Sequence, residues 1–288
     1  MNEPDLFKRA TNFFLKLRGY RPIRNDEEDP SLFYPSTLTK LQNVQVSFCT
    51  THKNREAHLK KALPINLRDN RSIPHVDIVV VDFDEDYVIG PWIKEHLLEH
   101  IQSGYLKYFR APLKNWSAPI AKNTAHYLAQ GDILANLDCD NYTGYEGGQF
   151  VIDQFVQTKE ESLLWQFSRW RRDGTFGRIA MSKKSFDRLG GYDENLVEMG
   201  FQDNDLMNRA MAMGLKRLQV PHKEYSRAIK HEKYLPEGVT FKKLNQRNAK
   251  LSKENVAKGV LQANDGVYGI RTGIQKMDDT GGMQDYLI

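Results

Sequence analysis

Cysteine is nearly missing from this chain. Cys49 and Cys139 are its only two among 288 residues. Both lie in apolar, strand-like segments, so a disulfide framework is excluded and reduced thiols in a cytoplasmic setting are expected. Long hydrophobic runs are missing too: nothing approaches the ~18 consecutive apolar residues that a bilayer crossing needs. The start, Met1-Asn2-Glu3-Pro4-Asp5, lacks the basic region of a secretory leader. Nor is charge of one sign in large excess. The 41 Lys and Arg face 37 Asp and Glu, a surplus that suits nucleotide phosphates without asking for nucleic acid as a partner. Internal repeats and low-complexity tracts are absent. What remains is an ordinary globular composition on a chain long enough to bury a substantial core.

The first two dozen residues carry Leu6, Phe7, Ala10, Phe13, Phe14 and Leu17 at helical spacing beside Lys8, Arg9, Lys16, Arg18, Arg21 and Arg24. Such a basic amphipathic stripe fits a helix docked on its own domain or one lying at a membrane surface, and both readings stay open. After it, Val44 to Thr50 alternates and then runs apolar, as a strand does. The β-branched run His75 to Asp82 reads as a buried parallel strand. Arg55 to Leu67, Pro91 to Ile101 and Ala118 to Gln130 read as helices, Leu106 to Phe109 as a short strand, and Asp132 to Asp138 as another strand. Strand, helix, strand, helix predicts a doubly wound α/β sheet. Ligands of such sheets bind beyond the carboxyl ends of the strands. There the sequence places three polar clusters: Thr50 to Arg55, Asp82 to Asp86, and Asp138 to Asn141.

Asp138-Cys139-Asp140 offers two carboxylates at spacing two after an apolar strand, where Mn2+ or Mg2+ could bridge them to a diphosphate. A calcium loop is excluded, because its sixth position is Thr143 counted from Asp138 and Tyr87 counted from Asp82, where glycine is required. Further on come Gly190-Gly191-Tyr192-Asp193-Glu194 and Gln202-Asp203-Asn204-Asp205. At a helix start Asp203 is either an N-cap or a base whose ionised form the helix dipole favours. Trp165 and Trp170 could each stack on a sugar face or sit in the core. His126, Phe186, Met207, Met211 and Met213 read as packing. The Gly- and Asp-rich end of the chain, after a Lys-rich helical stretch, is expected to be mobile.

The order of four motifs, Val46 to Arg55, Val79 to Asp84, Asp138 to Asn141 and Gly190 to Leu206, resembles that of family-two glycosyltransferases and related GT-A galactosyl- and N-acetylhexosaminyltransferases. The resemblance spans residues 44 to about 234. It implies a GT-A fold of class α/β, with a Rossmann-like nucleotide-binding half and an acceptor-binding half. It also implies transfer of a hexose or N-acetylhexosamine from a UDP-sugar to a glycan or lipid-linked glycan, as in polysaccharide biosynthesis. By position, Thr50, His52, Arg55, Asp82, Asp84, Lys122 and Asp138 would contact the nucleotide-sugar, with Asp82 or Asp84 at the base edge. Asp138, Asp140 and His231 would hold the metal. Trp165, Gly191, Gln202 and Asp203 would line the acceptor pocket, with Asp203 as catalytic base of an inverting displacement. Two departures stand out: Gln202 replaces the usual Glu before this Asp, and Asp82-Phe83-Asp84-Glu85 replaces the usual Asp-Asp-Gly-Ser.

The domains expected are an N-terminal extension over 1–40, a transferase domain over 41–234 divided at 142, and a helical C-terminal extension with its tail over 235–288. A retaining transferase with the same donor half, and a silent nucleotide-sugar or glycan binding module, are the competing readings. Peripheral contact with the inner face of a membrane is expected to run through the N-terminal stripe.

Overall fold

The computed structural model describes residues 44–156, 162–166, 174–196, 198–219, 225, 227–230 and 240–287. The amphipathic N-terminal extension lies outside them, as do Trp170 and His231.

The two apolar runs form β1 (Val46–His52) and β2 (Val76–Asp82), buried along their whole length and paired in parallel from Val46↔Val76 to His52↔Asp82. Burial on both faces is why they read as continuous apolar runs rather than alternating ones. Helix α1 (Glu56–Asn70) crosses between them. The stretch expected as one helix over 91–101 is two, α2 (Ile89–His96) and α3 (Leu98–Gln102), because Leu97 leaves helical geometry at φ −132°. β3 (Leu106–Arg110), α4 (Ala118–Leu128) and β4 (Ile133–Asn136) complete the first half. Ala118, Ala121 and Ala125 are all buried, and these small side chains let α4 lie close on the sheet.

The second half extends the same sheet. After β5 (Asn141–Tyr142) and α5 (Gly147–Val156) come β6 (Ser162–Trp165), β7 (Ile179–Ser182), α6 (Lys183–Arg188), α7 (Gln202–Ala212), β8 (Lys216–Gln219), β9 (Arg227–Ala228) and α8 (Phe241–Ala257). With β10 (Gln275–Met277) and β11 (Met283–Asp285), the nine-stranded order is β11-β10-β3-β2-β1-β4-β7-β6-β8, and β5 pairs with β9 apart from it. β3, β2, β1 and β4 are mutually parallel, whereas β7 runs antiparallel to both β4 and β6. Phe48, Val80 and Tyr108 face one layer of the core; Cys49, Val79 and Val81 face the other, toward α4 and Phe186.

The expectation of a mobile tail is overturned. β10 (Gln275–Met277) pairs antiparallel with β3 and with β11 (Met283–Asp285), closing one edge of the sheet. The Gly and Asp residues form the turn: Asp278 Oδ1 accepts from the Thr280 and Gly282 backbone N–H groups, and Gly281 takes φ +78°. Ile274 and Met277 are buried, and Tyr286 meets Phe109 edge-on at 5.2 Å. No helix among the described residues is long and apolar enough to cross a membrane.

Candidate active site

The ends of β1, β2 and β3 are tied together by side chains. Asp82 is fully buried, and both its oxygens are engaged: Oδ1 by His52 Nδ1 at 3.0 Å and by the Asp84 N–H at 3.1 Å, Oδ2 by the Tyr108 hydroxyl at 2.7 Å. Asp84 Oδ2 lies 3.4 Å from the same imidazole nitrogen, and Oδ1 accepts from the N–H of Asn54 at 2.8 Å. Lys53 donates to the carbonyls of Phe83 and Leu113. His52, Asp82 and Asp84 place one ligand atom each within 4.8 Å of one another, the one such trio among the described residues. Their mutual hydrogen bonds make them a brace for the strand-end loops. Asp82 is thus largely engaged in this bracing, and of the two carboxylates named from sequence Asp84 is the less buried. Thr50 is buried in β1. Arg55 occupies the N-cap position of α1 and acts electrostatically on the Cys139 thiol, which burial, the largest effect, pushes up together with Asp140 and Asp138.

Across the crevice α4 carries Lys122, whose Nζ lies 2.8 Å from Asp203 Oδ1 and 3.6 Å from Asp138 Oδ1. Burial alone would push the Lys122 ammonium down, but Asp138 and Asp203 outweigh it and hold it above its ordinary value. Burial likewise raises Asp138, yet Lys122, the Asn136 amide and Arg178 together hold its carboxyl below the usual range. Gly177 leaves the space they need: a Cβ there would lie 2.8 Å from Lys122 Nζ, 3.2 Å from Asp138 Oδ2 and 3.4 Å from Asp203 Oδ1.

Asp138 follows β4, anchored by Asn136 Nδ2 at 3.0 Å, while Asp140 accepts from Asn141 Nδ2 at 2.6 Å and its backbone carbonyl accepts from Ile229. The buried Arg178 fixes the following turn through Asn141 Oδ1 and the Tyr142 carbonyl, both at 3.0 Å. Asn136 and Arg178 were not singled out from sequence. A polar residue inside Ile-Leu-Ala-Asn-Leu-Asp is a readable signal for the first, and the second had none. Asp138 and Asp140 offer the hard carboxylate oxygens that suit a divalent cation, with the Lys122 ammonium already 3.6 Å from Asp138 Oδ1.

Asp203 and Gln202 open α7, after Phe201 at φ +68°. Gln202 Nε2 donates to Asp203 Oδ2 at 3.3 Å. Gly191 lies one step behind the site. Its φ is +68°, its carbonyl accepts from Arg209, and a Cβ on it would meet Asn123 Oδ1 at 2.4 Å. Asn123 in turn holds Tyr192 and Glu194, so the Gly-Gly-Tyr-Asp-Glu segment is clamped to α4. Trp165 is buried, with its indole N–H donating to the Phe176 carbonyl and Arg217 over its ring. His126 stacks on Phe186 at 4.6 Å in the core.

The segment 163–232 matches the family described as the N-terminal domain of galactosyltransferase. A search among curated proteins finds no significant match. Among solved structures, the mannosyltransferase PcManGT from Pyrobaculum calidifontis, in complex with GDP-Man and Mn2+, superposes with a TM-score of 0.55 at 16% identity, over 91% of this chain and 74% of that one. Residues 1–349 of TarS from S. aureus, in complex with UDP-GlcNAc, superpose with a TM-score of 0.53 at 16% identity, over 72% of this chain and 66% of that one. The chain thus spans about two thirds to three quarters of the length of these structures. It has the fold of these GT-A glycosyltransferases, and one segment of it is similar to a galactosyltransferase domain. The matched segment takes in β7, α6, α7, β8 and β9.

Proposed function

We propose that the protein transfers a hexose or N-acetylhexosamine from a UDP-sugar to a hydroxyl of a glycan or lipid-linked glycan, with inversion and with Mn2+ or Mg2+ bound. One observation carries the reading: Asp203 at the head of α7 and Asp138 after β4 share a single buried ammonium, Lys122. This joins a candidate base on the acceptor side to the carboxylate that faces the donor. Asp203 takes the proton of the acceptor hydroxyl as that oxygen bonds to the anomeric carbon and the bond to the departing nucleotide breaks. The N-terminus of α7 and Lys122 both favour its ionised form. Asp138 and Asp140 would hold the cation, with His231 a further ligand; the metal would neutralise charge gathering on the diphosphate. Asp84, Thr50, His52 and Arg55 would line the nucleotide side. The TarS complex with UDP-GlcNAc supports a uridine donor. The stripe over Leu6 to Leu17 would keep the enzyme at the inner face of a membrane.

The test is a panel of nucleotide sugars assayed with and without Mn2+. We expect Asp203→Asn to lose roughly 10²- to 10⁴-fold in transfer while slow donor hydrolysis and donor binding persist. Asp140→Ala should lose the metal-dependent hydrolysis. Transfer at the wild-type rate by Asp203→Asn would sink the assignment of the base.

A further inference from the structure

We propose that Glu198 is a second carboxylate that reads the acceptor, and that the acceptor is a neutral sugar offering at least two hydrogen-bond donors besides the reacting hydroxyl. This rests on the transferase reading and specifies its substrate.

The loop before α7 is held in a costly shape. Glu198 at φ +63°, Gly200 at +97° and Phe201 at +68° put three left-handed residues into four positions, two of them not glycine. Three ties impose that shape. The Ala118 N–H donates to the Glu198 carbonyl at 2.7 Å, Asn248 Nδ2 donates to the Gly200 carbonyl at 2.8 Å, and the Asp205 N–H closes on the Phe201 carbonyl at 2.8 Å. The same loop delivers two acceptor atoms that are buried and have no hydrogen-bond partner among the described residues, Glu198 Oε2 and Gln202 Oε1. The orientation of the Gln202 amide is fixed by Asp203: turning it over would set oxygen against the Asp203 carboxylate. At the facing N-terminus of α4, the buried Ser117 Oγ also lacks a partner and makes no cap bond.

The loop backbone and the base are both tied to the first turns of α4, next to Ser117. Ala118 and Lys122 stand one turn apart on α4, the first bonded to Glu198 and the second to Asp203. A buried acceptor without a donor is costly, and two of them on the loop that leads into the candidate base point to a ligand that supplies the donors. Sugar hydroxyls or an acetamido N–H do so. A phosphate or carboxylate on the acceptor would instead bring more lone pairs and negative charge against Glu198 and Asp203, so the arrangement selects a neutral ring.

The experiment compares wild type with Glu198→Gln, which keeps the shape, and Glu198→Gly, which suits the left-handed backbone. The acceptors are neutral hexosides and N-acetylhexosaminides, their single-deoxy derivatives and a 6-phosphate. We expect both variants to raise the acceptor KM by roughly 10- to 100-fold, with donor KM and slow donor hydrolysis unchanged. One deoxy acceptor should lose a similar factor in wild type and little further in the variants. An unchanged acceptor KM in both variants, or a wild-type preference for the phosphorylated acceptor, overturns the proposal. Absence of nucleotide release from any donor by wild type would instead overturn the transferase reading.

Discussion

Lys122 Nζ sits 2.8 Å from Asp203 Oδ1, although the two residues are 81 positions apart and lie on different helices. The same ammonium stands 3.6 Å from Asp138, so three elements meet on one charge. Its shell is closed by Gly177 and by the Tyr192 ring, 5.3 Å away.

Lys122→Met should leave two acidic side chains facing each other without their cation. We expect a loss of about 3 kcal/mol or more in denaturant unfolding at pH 7 and a fall of at least ~100-fold in transfer. A variant as stable and as active as wild type would remove the ammonium from the centre of the mechanism. The pH signs follow from the two shifts. Asp138 is held low when folded, so its contribution is present above the unfolded carboxyl range and lost as pH falls through the folded value. Lys122 is held high, so its contribution is present below the unfolded Lys range and lost as pH rises through the folded value. Both limbs should flatten in Lys122→Met.

His126 should make the fold acid-sensitive. Burial pushes the imidazole down to about 3, with its Nδ1 on the Lys122 carbonyl at 2.7 Å and its ring on Phe186. The unfolded histidine binds a proton near 6.5, so stability is full above that and falls as pH drops toward the folded value. Between pH 7 and pH 5 we expect roughly 2 kcal/mol of loss from this residue. Urea midpoints of wild type and His126→Phe at the two pH values measure it; an identical pH slope in both proteins would refute it.

Truncation after Thr272 should uncover the edge of β3. It removes Ile274 and Met277, each worth about 1.5–3 kcal/mol when buried, and leaves an unpaired strand edge open to other chains. We expect a lower urea midpoint together with light scattering at micromolar concentration. A monodisperse variant of unchanged stability would show that the hairpin contributes little.

The parts of this fold that could be read from sequence are those with a strong period or a long apolar run. β1, β2 and β4 announce themselves because both faces are buried, and α7 because its polar start precedes Leu206, Met207 and Ala210. The tail could not be read that way. Three-residue strands such as Gln275–Met277 are too short to show alternation, and the residues that suggested mobility are those a tight turn requires. At the site, Asp138, Asp203 and Lys122 were named from motif order. Their meeting point was not, since pairing across 81 residues leaves no local pattern, and the role of Gly177 shows only once its missing side chain is set among three charges. The engaged state of Asp82 was equally hidden, because Tyr108, one of its partners, reads as an ordinary aromatic in a short strand.

The junction of β4 and β7 joins the two halves through three residue pairs, Ile133↔Ser182, Leu134↔Met181 and Ala135↔Ala180, inside one unbroken sheet. Grafting everything beyond that seam from another chain of this fold would sever a buried backbone ladder, whereas exchange of the 198–201 loop alone would leave it whole. The loop proposed to read the acceptor can therefore be replaced without cutting the sheet, and a wholesale graft cannot be made that way.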